Sequence, residues 1–177
     1  DAAVLAWRNA GDCVVTTDML TDGVDFRLEE AVPALVQAER MLREDCVDVA
    51  WELTNARMGL LNALWNNGRL WQHDELASGW VRDARDRGDR NEATQLVVIG
   101  LAYQAGLRRD DPRGAEELLQ ASLAGWPEVF QLPHWSQYIA RQLVALYRGD
   151  GGAHALLRET WPKIVRSQLL RVPYFSL

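Results

Sequence analysis

The stretch at residues 87–112, RGDRNEATQLVVIGLAYQAGLRRDDP, decides the fold, because it places a helix-like apolar pattern between two turn signals. Its middle, residues 91–107, is apolar on most faces, which is typical of a helix buried between neighbours. The Arg-Gly-Asp at 87–89 is a turn signal that ends the preceding helical pattern. The Asp-Asp-Pro at 110–112 follows with an Asp cap and a proline at the next helix's first position. The stretch therefore predicts the centre of an all-α protein.

Turn signals of this kind recur along the chain at nearly regular spacing. They lie at 66–68 (Asn-Asn-Gly), 109–111 (Arg-Asp-Asp) and 148–150 (Arg-Gly-Asp), about 43 and 39 residues apart. Two helix-type patterns lie between successive signals. A unit of about 40 residues with two helices is the mark of an α-solenoid, and solenoids mostly bind partners.

The remaining patterns predict seven or eight antiparallel helices. They fall near 25–42 with a start closer to Pro33, then at 47–65, 71–87, 91–107, 112–126 and 132–147. A seventh follows Asp150 and ends or kinks at Pro162, and a short eighth covers the apolar tail from 164. Residues 2–8 resemble the end of a helix. Residues 13–20 are ambiguous, because Val-Val-Thr-Thr at 14–17 favours a strand whereas the surroundings favour a helix. We therefore expect residues 1–24 to end a preceding repeat or linker, and 25–177 to form one domain of a longer protein.

Composition and charge argue against several classes of partner. The net charge is −6, and residues 1–45 contain the whole of this acidic excess. No basic stripe is visible, so we expect no nucleic acid partner. No apolar run reaches membrane-spanning length, so we expect no membrane partner. The two cysteines, Cys13 and Cys46, form no Cys-x-x-Cys pair, which fits a cytoplasmic protein.

Residues with catalytic or metal-binding chemistry are scattered. The three histidines, His73, His134 and His154, form no His-x-x-x-His pair, so we expect no metal and no cofactor. Cys46 with His134 would make a nucleophile and base only if the fold brought them together. Both Arg-Gly-Asp copies read as helix ends, with Gly at the cap and Asp opening the next helix. We therefore expect no catalytic residue.

Tryptophan is abundant, with eight residues in 177. Most lie where helices should cross and are expected in the core. Three lie near turns and are candidate partner-binding residues, because Trp is favoured at interface hot spots: Trp71, Trp126 and Trp135.

Residues 40–172 also resemble a known family. The motifs are Cys-Val-Asp-Val-Ala-Trp-Glu-Leu-Thr-Asn-Ala-Arg at 46–57, Ala-Leu-Trp at 63–65, Leu-Tyr-Arg-Gly-Asp at 146–150 and Trp-Pro at 161–162. They are similar to the C-terminal tetratricopeptide-like helical region of large bacterial multidomain serine/threonine protein kinases. The resemblance implies a tetratricopeptide-like α-solenoid that binds a protein or peptide in signal transduction.

Kinase motifs are absent from this segment, so ATP binding and phosphoryl transfer would belong to another part of the parent protein. The segment itself is expected to be non-catalytic. Two other readings stay open: a regulatory repeat domain of a transcription activator, and a structural spacer. An upstream kinase domain would indicate the kinase-associated region, and an upstream helix-turn-helix would indicate the transcription activator.

Overall fold

The computed structural model describes residues 4–9, 12–17 and 28–171, with side chains from residue 31 onward. Its helical part, residues 28–171, contains eight α-helices, which confirms the all-α prediction over that range. They are α1 Leu28–Asp45, α2 Ala50–Asn66, α3 Leu70–Asp86, α4 Arg90–Val98, α5 Gln104–Arg108, α6 Pro112–Ser122, α7 Leu132–Arg148 and α8 Gly152–Ser167, followed by the 3-10 helix Leu169–Arg171.

An antiparallel hairpin precedes the helices. Strand β1 covers Val4–Asn9 and β2 covers Asp12–Thr17, with Val4 opposite Thr17 and Asn9 opposite Asp12. The helix end expected at 2–8 is therefore replaced by a strand over Val4–Arg8. Pairing with the β-branched residues of β2 overrides the local helical pattern. The expected boundary at residues 24 and 25 lies outside the described residues.

Helix α4 lies at the centre of the helical stack. Consecutive helices contact one another from α1 to α4 and from α5 to α8, and α4 also contacts α2, α6 and α7. Its Leu96 and Val97 are completely buried. They belong to one core cluster with Leu61, Leu119 and Val144 of the surrounding helices, which are also completely buried. This position explains why the α4 sequence is apolar on most faces. None of the described helices is long and apolar enough to cross a bilayer.

The two Arg-Gly-Asp copies both lie at helix ends, as predicted. Gly88 and Gly149 follow α3 and α7 with φ of 73° and 66°, a region that glycine enters without steric cost. Asp89 caps α4 by accepting a hydrogen bond from the Glu92 N–H at 2.9 Å. Asp150 accepts one from the Gly152 N–H at 2.9 Å. These residues therefore serve the turns of the fold.

The predicted helix at 91–107 is wrong in one respect, because it is broken in two. Helix α4 ends at Val98 and α5 begins at Gln104. Between them Leu101 has a φ of 60°, which is uncommon for a residue other than glycine. The break lets the chain turn beneath α3, where the Gly100 carbonyl meets His73 at 2.9 Å.

Two prolines lie inside helices, so the predicted start near Pro33 is wrong, and of the two outcomes predicted at Pro162, an end or a kink, the end is wrong. Helix α1 begins at Leu28, ahead of Pro33, and α8 continues through Pro162 to Ser167. Both prolines are exposed, so their rings occupy solvent-facing positions and each costs mainly one helical hydrogen bond. Because α8 continues, the eighth helix expected from residue 164 is reduced to the 3-10 turn Leu169–Arg171.

Candidate partner-binding surfaces

A buried ionic cluster joins four helices. Arg57 of α2 lies 3.1 Å from Glu39 Oε1 of α1 and 2.8 Å from Glu92 Oε1 of α4. The Glu92 Oε2 atom accepts a second bond, from Arg87 at 2.6 Å. The Arg57 guanidinium also lies 5.1 Å from the centre of the Trp80 ring of α3. Each buried charge is thus neutralised by another, and the cluster holds the helices together.

A second cluster surrounds His73 of α3, which is completely buried. Its Nε2–H donates to the Gly100 carbonyl at 2.9 Å, since a carbonyl can only accept. Its Nδ1 atom lies 3.0 Å from Asp74, which forms an ion pair with Arg108 of α5. The Arg108 guanidinium covers the Trp65 ring at 4.9 Å. The cluster fixes the break between α4 and α5.

Burial lowers the pKa of His73 below its ordinary value, and the nearby Arg108 charge lowers it further. The folded protein therefore resists protonation of His73, whereas the unfolded chain accepts a proton below pH of about 6.5. Stability should fall with decreasing pH, by as much as about 1.4 kcal/mol between pH 7.5 and 5.5 from this residue alone. Urea unfolding of the wild type and of His73→Gln at pH 7.5 and 5.5 measures the loss in the free energy of unfolding.

The difference between the two proteins isolates His73, because burial also lowers the pKa of His134, which is present in both. His73→Gln should be less stable at pH 7.5 but lose less stability on acidification. An equal loss in both proteins would mean that His73 does not titrate in this range.

The other sequence-derived candidates for chemistry lie apart in the fold. Cys46 lies in the connection between α1 and α2, and His134 lies in the first turn of α7 with its ring 5.8 Å from that of Phe130. In the part of the chain that the structure describes, no three His, Cys, Asp or Glu residues are grouped so as to hold a metal ion.

The three tryptophans predicted to bind a partner occupy different environments. Trp71, in the first turn of α3, is 83% exposed. Trp126 is half-buried in the connection between α6 and α7, and its indole N–H donates to Thr94 Oγ1 at 3.0 Å. Trp135 of α7 is half-buried, with its ring 6.0 Å from that of Tyr138. Trp126 lines a cleft.

That cleft, here called the Arg90 cleft, consists of two cavities that share Arg90. The outer cavity has a volume of about 290 Å³ and the inner one about 120 Å³. The outer cavity is lined by Arg90, Asn91, Gly125, Trp126 and Pro127. The inner cavity is lined by Arg85, Gly88, Arg90, Ala93, Ala121, Ser122 and Ala124.

Hydrogen bonds between α4 and the α6–α7 connection shape this cleft. Arg90 donates from Nη1 to the Gly125 carbonyl at 2.8 Å, and the Thr94 hydroxyl donates to the Ser122 carbonyl at 2.6 Å. Gly125 has a φ of 78°, and a Cβ atom there would lie 2.7 Å from Arg90 Nη1. The guanidinium is therefore held against the backbone.

The two arginines that line the cleft, Arg85 and Arg90, have no acidic partner among the described residues. Arg57, Arg87 and Arg108 all form ion pairs with carboxylates. Neither Arg85 nor Arg90 forms one with any described residue, so each retains N–H groups to donate. The sequence alone could not place Arg90 in a cleft, because the cleft joins two segments about 35 residues apart.

Scanning the chain against protein-family models, curated proteins and solved structures found no match.

Proposed function

We propose that this chain is a non-catalytic protein-interaction region that binds an extended segment of a partner protein in the Arg90 cleft. The observation that carries the proposal is Arg90 itself: a guanidinium held in place by the Gly125 carbonyl, next to the Trp126 ring, without a carboxylate partner among the described residues. A fixed guanidinium loses little freedom on binding, which favours recognition of a carboxylate.

The dimensions of the cleft suit a peptide. The inner cavity, about 120 Å³ with three alanines among its seven lining residues, would accept one small aliphatic side chain. The outer cavity would hold the neighbouring backbone beside Trp126, and tryptophan and arginine are the residues most enriched at binding hot spots. The favoured partner segment therefore has an aliphatic residue next to Asp or Glu.

The wider setting that we propose is a tetratricopeptide-like solenoid serving as the interaction or sensory region of a cytoplasmic bacterial serine/threonine protein kinase. Supporting it are the sequence resemblance, the turn spacing of about 40 residues and the packing of consecutive helices. In such a protein ATP binding and phosphoryl transfer would lie outside this segment. A transcription activator would use the same cleft, and the upstream coding sequence distinguishes the two. A structural spacer would show no saturable binding.

The cleft can be tested with labelled octapeptides in which a central leucine is flanked by Glu, Gln or Lys. Fluorescence anisotropy with the 177-residue chain should show tighter binding of the Glu peptides. Arg90→Gln should weaken that binding by about tenfold or more, because a charge-assisted hydrogen bond contributes about 1.5–3 kcal/mol. Thermal unfolding checks that each variant is folded.

Arg113→Gln is the matched control, because Arg113 is an exposed arginine of α6 that does not line the cleft. It should bind like the wild type. Equal binding of Glu and Lys peptides, or an Arg90→Gln variant that binds as tightly as Arg113→Gln, would contradict the proposal.

A further inference from the structure

The last two helices expose an apolar stripe each. On α7 the stripe contains Ile139, Leu143 and Leu146, which are 42–65% exposed. On α8 it contains Leu157, Trp161 and Val165, spaced by four residues and 39–53% exposed. We call these six residues the terminal apolar face.

Both stripes lie on the same side of the α7–α8 pair. The side of α7 that carries Ala140 and Val144 is buried against the stack, and Ile139 and Leu143 lie on a different side of the helix. Only residues 149–151 join α7 to α8, so the two helices run antiparallel. On α8 the stripe borders the buried side: Leu157 lies beside buried Ile164, and Trp161 and Val165 turn further outward, toward the same outer side as Ile139 and Leu146.

The area of this face approaches that of a dimer interface. Its exposed apolar side-chain surface is on the order of 600 Å², at the upper end for a monomer. A standard interface buries about 800 Å² per partner, and a homodimer interface is about 65% apolar, so roughly 500 Å² of apolar surface is enough.

The charges of α8 leave its apolar stripe uninterrupted. Glu159 and Lys163 form an exposed ion pair at 3.5 Å, and they lie on the side of the helix opposite Trp161.

We propose that the terminal apolar face is a homodimer interface, in which α7 and α8 of two copies pack with Trp161 near its centre. None of its six residues lines the Arg90 cleft. The dimer would therefore present two open clefts and bind a partner with two acidic segments more tightly than a monomer. The inference does not depend on peptide binding in the cleft.

Sedimentation velocity of the 177-residue chain tests this from about 1 to 100 μM, where an interface of this size should associate. The wild type should form a dimer as its concentration rises. Leu143→Glu and Trp161→Glu, made separately, should each raise the dimer dissociation constant by about tenfold or more, because each buries a charge at the interface. Circular dichroism checks that both variants are folded.

Trp71→Glu is the matched control, since Trp71 is more exposed than Trp161 but lies on α3. It should dimerise like the wild type. A wild type that stays monomeric throughout the range would overturn the proposal, and the face would then be covered by another protein. A dimer that survives both α7 and α8 substitutions would equally overturn it, because the copies would associate elsewhere.

Discussion

Replacing Arg57 with methionine is expected to lower the free energy of unfolding by about 3–5 kcal/mol. Only 4% of the Arg57 side chain is exposed, and it neutralises Glu39 and Glu92, which are 10% and 2% exposed. Methionine has a similar length but no charge, so it leaves two carboxylates facing each other in the interior. Arg87 still contacts Glu92, but among the described residues Glu39 keeps only the exposed Arg43.

Chemical denaturation of the wild type and variant measures the effect, and Arg113→Met supplies the control. Arg113 forms a comparable pair with Glu117 at 3.1 Å, but its side chain is 90% exposed, so the loss should be below about 0.5 kcal/mol. Adding Glu39→Gln to Arg57→Met should recover part of the stability, because one unpaired charge is removed. A loss of less than about 1 kcal/mol in Arg57→Met would show that water reaches the carboxylates.

The Arg57 cluster also shows what the sequence could not predict. Arg57 lies in a predicted helix, where its apolar neighbours mark a buried face. Its acidic partners lie 18 and 35 residues away in the chain, on different helices. Helical periodicity places residues on a face but does not say which faces meet, so the ion pairs follow only from the packed structure.

Turns were more predictable, because their chemistry is local. The caps at Asp89 and Asp111 depend on residues three positions apart, and the structure confirms both. The binding surfaces depended on distant segments. The position of Trp126 near a turn predicts a binding residue, whereas nothing local marks Arg90, which is held by the Gly125 carbonyl of the α6–α7 connection. Trp161 was expected in the core, because an apolar stripe does not reveal whether another helix covers it.

Gly100→Ala is expected to destabilise the protein by about 1–3 kcal/mol, the usual cost of overpacking a core. A Cβ atom at this position would lie 2.7 Å from the Leu96 carbonyl oxygen and 2.8 Å from Leu61 Cδ1. The leucine side chain can rotate, but the carbonyl belongs to the backbone at the end of α4 and cannot move without shifting the helix. Such a shift would also displace the Gly100 carbonyl from His73.

Gly79→Ala is the matched control, with an expected change of the opposite sign. Gly79 lies inside α3, and a Cβ atom there would have no heavy atom within 4 Å. Alanine should stabilise the protein by about 0.5–1 kcal/mol, because glycine costs that much inside a helix. Thermal and urea unfolding of both variants measure the contrast. Shifts of the same sign would mean that the turn after α4 adjusts to a side chain, and that His73 does not hold it in one conformation.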